Sequence, residues 1–298
     1  MNKLMFMAAV TAFSIGASAS SLVEGDPTLV GDSFGFVEGP VWDAKHQRFL
    51  FSDIPNNKTY SYVPDGKLSV FDNNSGYANG LAIDLKGNLW AARHDRKLSY
   101  RQESGEKVIA AATYNGNLLN SPNDLTVNSD GSVWFTDPPF GIQGYGPAKS
   151  ESEQPVNGVY RYLDGDLKLM TGELELPNGI AFSSDESLLY VADTSDGWVY
   201  RFDVNDQSIS NKTQFAQVKA ASGSEPMVDG IVVDFHDNLF VAAHGGVGVF
   251  DKQGKQIDFI AIDADHISNL EIGGEQQDLL MVTAYNKVLV FKIKSSTN

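Results

Sequence analysis

Cysteine is absent from all 298 residues, so no disulfide, thiolate metal site or thiol nucleophile is available. Stability must come from core burial, backbone ladders or a bound ion. Long apolar runs are also missing. The longest, over residues 4–15, is too short for a bilayer, and no later stretch approaches the roughly 20 uninterrupted apolar residues that a spanning helix needs. It reads as a processing signal instead, with Lys3 before the apolar run and the small residues Ala17, Ser18 and Ala19 offering a cleavage site. The expectation is a leader over residues 1–19, one mature domain over residues 20–298 and an exported protein, periplasmic or secreted.

Positive charge is scarce: 22 Lys and Arg stand against 38 Asp and Glu, a formal net charge of -16. Such a field repels phosphate backbones and anionic lipid, so neither nucleic acid nor membrane insertion is expected, and a cation is the natural small partner. The chain has no H-E-x-x-H pair and no clear Ser-His-Asp arrangement, which removes the usual zinc-protease signature and leaves no assembled serine-hydrolase triad to read. "GIQGYG" has glycines at suggestive spacing but opens no helix in a βαβ unit, so it is not a dinucleotide loop.

Sustained helical periodicity is nearly missing after the leader. In its place short apolar, aromatic and β-branched runs recur between clusters of Gly, Asn, Asp and Pro, the pattern of an all-β chain. One element appears six times: "EGPVWD" from Glu38, "NGLAID" from Asn79, "NDLTVN" from Asn123, "NGIAFS" from Asn178, "DGIVVD" from Asp229 and a weaker "SNLEIG" from Ser268. A second apolar strand follows each, ending at Asp53, Arg93, Asp137, Asp193, Ala243 and Thr283. The offset from first polar residue to strand end is 14 or 15 residues in every copy. That register predicts equivalent strand pairs, and copies spaced 39 to 55 residues apart leave room for four strands each. The expected fold is a six-bladed β-propeller. Its last unit is one strand short, and the unassigned "PTLVGDSF" near the mature N-terminus is expected to close the ring and remove two sheet edges.

First strands of propeller blades lie beside the central channel, so Glu38, Asn79, Asn123, Asn178, Asp229 and Ser268 should form a ring around its mouth. Carboxylates, amides and a hydroxyl without sulfur suit Ca²⁺ in a central metal-binding tunnel, with Zn²⁺, Mn²⁺ and Mg²⁺ as the other divalent candidates. Asp124 occupies the slot where other copies carry glycine, and is expected to brace Asn123 without touching the ion.

The blocks "EGPVWD", "LNSPNDLTVNSDGSVWFTDPPFGI", "LPNGIAFSSDESLLYVADT" and "DGIVVDFHDNLFVA" resemble the SMP-30/gluconolactonase family, especially its bacterial gluconolactonase-like branch, from about Phe36 onward. The resemblance implies a six-bladed propeller with one divalent cation, and makes Glu38, Asn178 and Asp229 metal ligands with Asn123 a fourth ligand or a substrate contact. The implied reaction is hydrolysis of a sugar lactone such as gluconolactone. Asp229 is the expected general base, with metal-generated hydroxide as its competitor, while Asn123 orients the carbonyl. Asn79, Asn123, His94 and His244 are the expected substrate contacts. A related esterase or phosphotriesterase and a non-catalytic ligand-binding propeller are the alternatives. The insertion over residues 138–158 is expected to overhang the site as a lid, with Phe140 and Tyr145 facing the substrate.

Overall fold

The computed structural model describes residues 22–205, 208–218, 227–264 and 266–294; the leader expected over residues 1–19 lies outside the described residues. The chain is a ring of six four-stranded antiparallel sheets. The first blade comprises Val37–Asp43, Arg48–Asp53, Lys58–Val63 and Lys67–Asp72. The second comprises Ala78–Ile83, Leu89–Arg93, Lys97–Arg101 and Lys107–Ala111. Leu125–Val127, Val133–Asp137, Gly158–Leu163 and Asp166–Thr171 form the third. The fourth is Pro177–Phe182, Leu188–Asp193, Trp198–Asn205 and Ser208–Ala216, and the fifth Val228–Val233, Leu239–Ala243, Gly246–Phe250 and Gln256–Ala261.

The last blade holds Asn269–Gly273, Leu279–Ala284 and Lys287–Ile293 from the C-terminal end of the chain. Its outer strand, Val23–Gly31, comes from the N-terminal side and pairs antiparallel with Lys287–Ile293. The ring is therefore closed by backbone hydrogen bonds, as the missing strand required. Among the described residues no helix is long and apolar enough to cross a membrane.

Consecutive apolar residues in the inner strands give a sheet two apolar faces, as Phe49 and Phe51 pack on one side of the first blade and Leu50 on the other, and these faces pack on neighbouring blades. Phe49, Phe51 and Val37 of the first blade meet Met281 and Val288 of the last; Trp134 and Val159 of the third meet Ile180, Leu189 and Phe202 of the fourth; Tyr190 and Val199 of the fourth meet Ile231 and Val241 of the fifth. The core is thus an annulus of interblade layers. A fully buried side chain of this size contributes about 1.5–3 kcal/mol.

First strands touch one another in cyclic succession around the axis. In four blades the ladder between first and second strand is interrupted, between Glu38 and Val41, Ala78 and Leu81, Pro177 and Ile180, and Val228 and Ile231. The interruption falls at the polar residue of the repeat, and such bulges re-aim a side chain. The glycine that follows is forced by neighbouring backbone. Gly39 has φ of 48°, and a Cβ there would lie 2.0 Å from the Asn79 carbonyl oxygen, so no larger residue fits.

Candidate active site

Side chains at the strand ends hold the segments around the ring. The carboxylates ending the second strands of the first, third and fourth blades reach back to the segment before the ring: Asp53 accepts from Gly35 N at 3.1 Å, Asp137 from Asn120 N at 2.8 Å and Asp193 from Leu176 N at 3.0 Å. Hydroxyls one residue from those ends tie each blade to a neighbour. Ser52 Oγ donates to the Asn79 carbonyl at 2.8 Å, Thr136 Oγ1 to that of Asn178 at 2.8 Å and Thr194 Oγ1 to that of Val228 at 2.9 Å. The repeat of Asp at strand ends is therefore a clamp on the ring.

Glu38, Asn79, Asn123, Asn178 and Asp229 converge on one cavity of about 590 Å³. The sixth ring position departs from expectation: Ser268 is fully buried, and its Oγ donates to the Val37 carbonyl at 2.7 Å instead of facing the cavity. His94 lines the cavity, whereas His244 is not among its lining residues. The structure does not bring His244 to the site, because strand-end position alone does not say toward which side the following loop turns. Phe140, Gln143 and Tyr145 line the cavity from the expected lid, whose Gly141–Tyr145 stretch forms a single π-helical turn. The turn is tied down at its start: Gly141 N donates to Ser121 Oγ at 2.8 Å, and Ser121 Oγ donates to the Pro138 carbonyl at 2.5 Å.

The amide of Asn178 has a defined direction. Thr194 Oγ1 gives its proton to the Val228 carbonyl, so it can only accept from Asn178 Nδ2 at 3.0 Å. Asn178 Oδ1 is consequently the free end, buried and without a hydrogen-bond partner. Asn79 behaves alike: its Nδ2 faces His94 Nε2 at 3.0 Å, and its buried Oδ1 has no partner. Such orphaned acceptors are uncommon and mark a place for a donor or cation.

Glu38 is 3% exposed and Asp229 is 6% exposed. Burial, then repulsion from Asp229 and Asp124, raises the Glu38 carboxyl well above its ordinary range. Burial also raises Asp229, against the hydrogen bond from His266. Asp124 lies off the cavity: its Oδ1 accepts from Leu125 N at 2.9 Å and its Oδ2 from Asn269 Nδ2 at 3.4 Å. A Cβ on Gly80 would come 2.6 Å from Asp124 Oδ1, so the carboxylate fills space left by the glycine of the second blade.

His266 was not legible from the repeat. Its Nε2 stands 2.8 Å from Asp229 Oδ2, and although burial works against it, this contact raises the imidazole above its ordinary value. One signal does exist. Phe36, Met227 and His266 all line the cavity, and each stands two residues before a ring position. Phe36 packs against Tyr145 at 5.7 Å, His266 at 5.6 Å and Tyr285 at 5.8 Å, forming an aromatic wall above the polar floor.

The donor chemistry fits a hard cation. Among the described residues no three His, Cys, Asp or Glu side chains stand together as a metal group; the oxygens here come from two carboxylates and from amides, which is a calcium-type set and not a zinc-type one.

Residues 36–286 match the family described as SMP-30/Gluconolactonase/LRE-like region. The chain belongs to this family. Within the SMP-30/gluconolactonase family it is 30% identical over 304 aligned residues to a gluconolactonase of Zymomonas mobilis, covering 94% of this chain and 85% of the relative. It is 31% identical to the lactonase drp35 of Staphylococcus aureus, covering 83% and 76%. The structure of a gluconolactonase from Xanthomonas campestris superposes with a TM-score of 0.83 at 28% identity, covering 94% of this chain and 99% of that one.

Proposed function

We propose that this member of the SMP-30/gluconolactonase family hydrolyses a sugar lactone such as gluconolactone at the ring, with one bound divalent cation, most favourably Ca²⁺. The observation that carries the proposal is the pair of buried carboxylates, Glu38 and Asp229, beside the orphaned Asn178 Oδ1 in one 590 Å³ cavity. Gluconolactonase and lactonase relatives support the reaction class.

Glu38, Asn123, Asn178 and Asp229 would hold the cation, which when bound supplies electrophilic polarisation of the lactone carbonyl. The chain's own groups do the rest. Asp229 takes a proton from water with the carboxylate oxygen that does not face His266, and the contact of Oδ2 with His266 at 2.8 Å fixes the direction of the other oxygen. As water adds to the carbonyl carbon and the ring C–O bond breaks, the leaving ring oxygen takes up that proton, and the product is the open hydroxy acid. Asn123 faces the same cavity and orients the lactone, while the wall of Phe36, Tyr145 and Tyr285 limits water on one side. The test is a pH-stat assay of the purified protein on glucono-1,5-lactone with Ca²⁺ and after chelation. Acid release that requires the added ion supports the reading, and no release from any lactone with any divalent ion overturns it.

A further inference from the structure

Asn79 stands on the ring between Glu38 and Asn123, yet it is not one of the four residues assigned to the cation. Its orientation follows from the lid. A backbone carbonyl only accepts, so His94 Nδ1, 3.1 Å from the Tyr145 oxygen, carries the imidazole proton. Burial lowers His94 to about 4, so the ring is neutral near pH 7 and Nε2 offers a lone pair. Asn79 must then present Nδ2 to it at 3.0 Å. The remaining oxygen, Asn79 Oδ1, is buried with no partner on a residue that lines the cavity.

The lid that sets this chain of bonds has no slack. A Cβ on Gly141 would lie 2.8 Å from His94 Cβ, and one on Gly146 would lie 2.8 Å from the His94 carbonyl oxygen. The Tyr145 carbonyl is therefore seated on the imidazole by close packing of two glycines, and it holds one tautomer. The chain Tyr145–His94–Asn79 engages the amide nitrogen as a donor and leaves the Asn79 oxygen, an acceptor, as the free end.

We infer that Asn79 is a specificity-determining residue whose Oδ1 accepts a hydrogen bond from a hydroxyl on the carbon beside the reacting lactone carbonyl, and that His94 is a positioning residue holding the amide that way. The inference rests on the lactone-hydrolase reading above. It assigns His94 to the amide and the lid, since both ring nitrogens are engaged, and it makes 2-hydroxylated lactones the preferred class.

The experiment compares glucono-1,5-lactone with its 2-deoxy counterpart, as kcat/KM by pH-stat, in the wild type and in Asn79→Ala, His94→Gln and His94→Phe. The wild type is expected to favour the 2-hydroxy lactone by about tenfold or more, the value of one well-made hydrogen bond whose loss strands a buried acceptor. Asn79→Ala brings that ratio close to one by slowing only the hydroxylated substrate. His94→Gln, whose amide can donate to the Tyr145 carbonyl and accept from Asn79, keeps most of the preference, and His94→Phe loses it. Calcium affinity by calorimetry stays within about twofold in Asn79→Ala, since the lost group is a hydrogen-bond acceptor outside the ligand set.

A preference that survives Asn79→Ala overturns the inference. So does a loss of calcium affinity in that variant, which would make Asn79 an ion ligand, or His94→Gln performing no better than His94→Phe. The histidine pair decides the matter if Asn79→Ala fails to fold. Equal turnover of both lactones by the wild type overturns only the role of Asn79, whereas turnover of neither overturns the lactone-hydrolase reading together with it.

Discussion

His266 Nε2 lies 2.8 Å from Asp229 Oδ2, so the segment before the last blade completes a site whose carboxylate belongs to the fifth. The two residues are 37 positions apart in the chain. They meet because adjacent first strands touch around the axis.

Removing this contact should affect turnover more than ion binding. His266→Leu is expected to lower kcat by about 10²-fold, in the range of a misplaced general base, while calcium titration by calorimetry changes little. Equal loss of both would place His266 in the ion's support instead.

Glu38→Gln and Asp229→Asn should each abolish calcium binding and activity with the β-sheet circular dichroism intact. In the wild type, Ca²⁺ at about 100 times its dissociation constant stabilises the fold by about 2.7 kcal/mol. The thermal midpoint should therefore rise by a few degrees and fall back on chelation, and neither variant should respond.

Thr194 sets the direction of the Asn178 amide. Thr194→Val removes both the acceptor for Nδ2 and the donor to the Val228 carbonyl, so Asn178 loses its fixed orientation. Calcium affinity is expected to drop about tenfold, with a stability loss of about 1–3 kcal/mol from the stranded partners, read by calorimetry and urea unfolding. Thr194→Ser should restore both.

Asp137 offers a pH signature away from the ring. Burial pushes its carboxyl up to about 7, against hydrogen bonds from the Asn120 and Ser121 backbone, and its Oδ1 has no partner. The folded state then holds a proton that the unfolded chain releases near pH 4, so this group's contribution is present in acid and is lost as pH rises from about 4 to about 7. Asp137→Asn should flatten the fall in urea midpoint across that window. A steeper fall in the variant would give the shift the opposite sign.

Deleting residues 22–33 removes the strand Val23–Gly31 from Lys287–Ile293 and exposes the edge of the latter strand. The truncated protein should lose cooperative thermal unfolding and aggregate, as measured by light scattering. A soluble, cooperatively folding product would show that interblade packing closes the ring without this strand.

The propeller was legible in the sequence because strand alternation has a period of two and the 14 or 15 residue offset recurs in six copies. A repeated local pattern has to repeat in space, so Glu38, Asn79, Asn123, Asn178 and Asp229 could be placed on one ring before any contact was known, and the segment "PTLVGDSF" could be assigned to the incomplete blade, although the strand itself runs earlier, over Val23–Gly31. The same logic misplaced Ser268, whose hydroxyl finds the Val37 carbonyl because the last blade must bond to the first. It could not find His266, which stands outside the repeated strand, nor exclude His244, because a loop's direction after a strand is set by what it packs on. The ends of the amides were beyond the sequence altogether. Residue type says that Asn178 and Asn79 each carry a donor and an acceptor; only the fold, by placing carbonyls that cannot donate next to Thr194 and His94, decides that the oxygen is the end of each amide left without a partner.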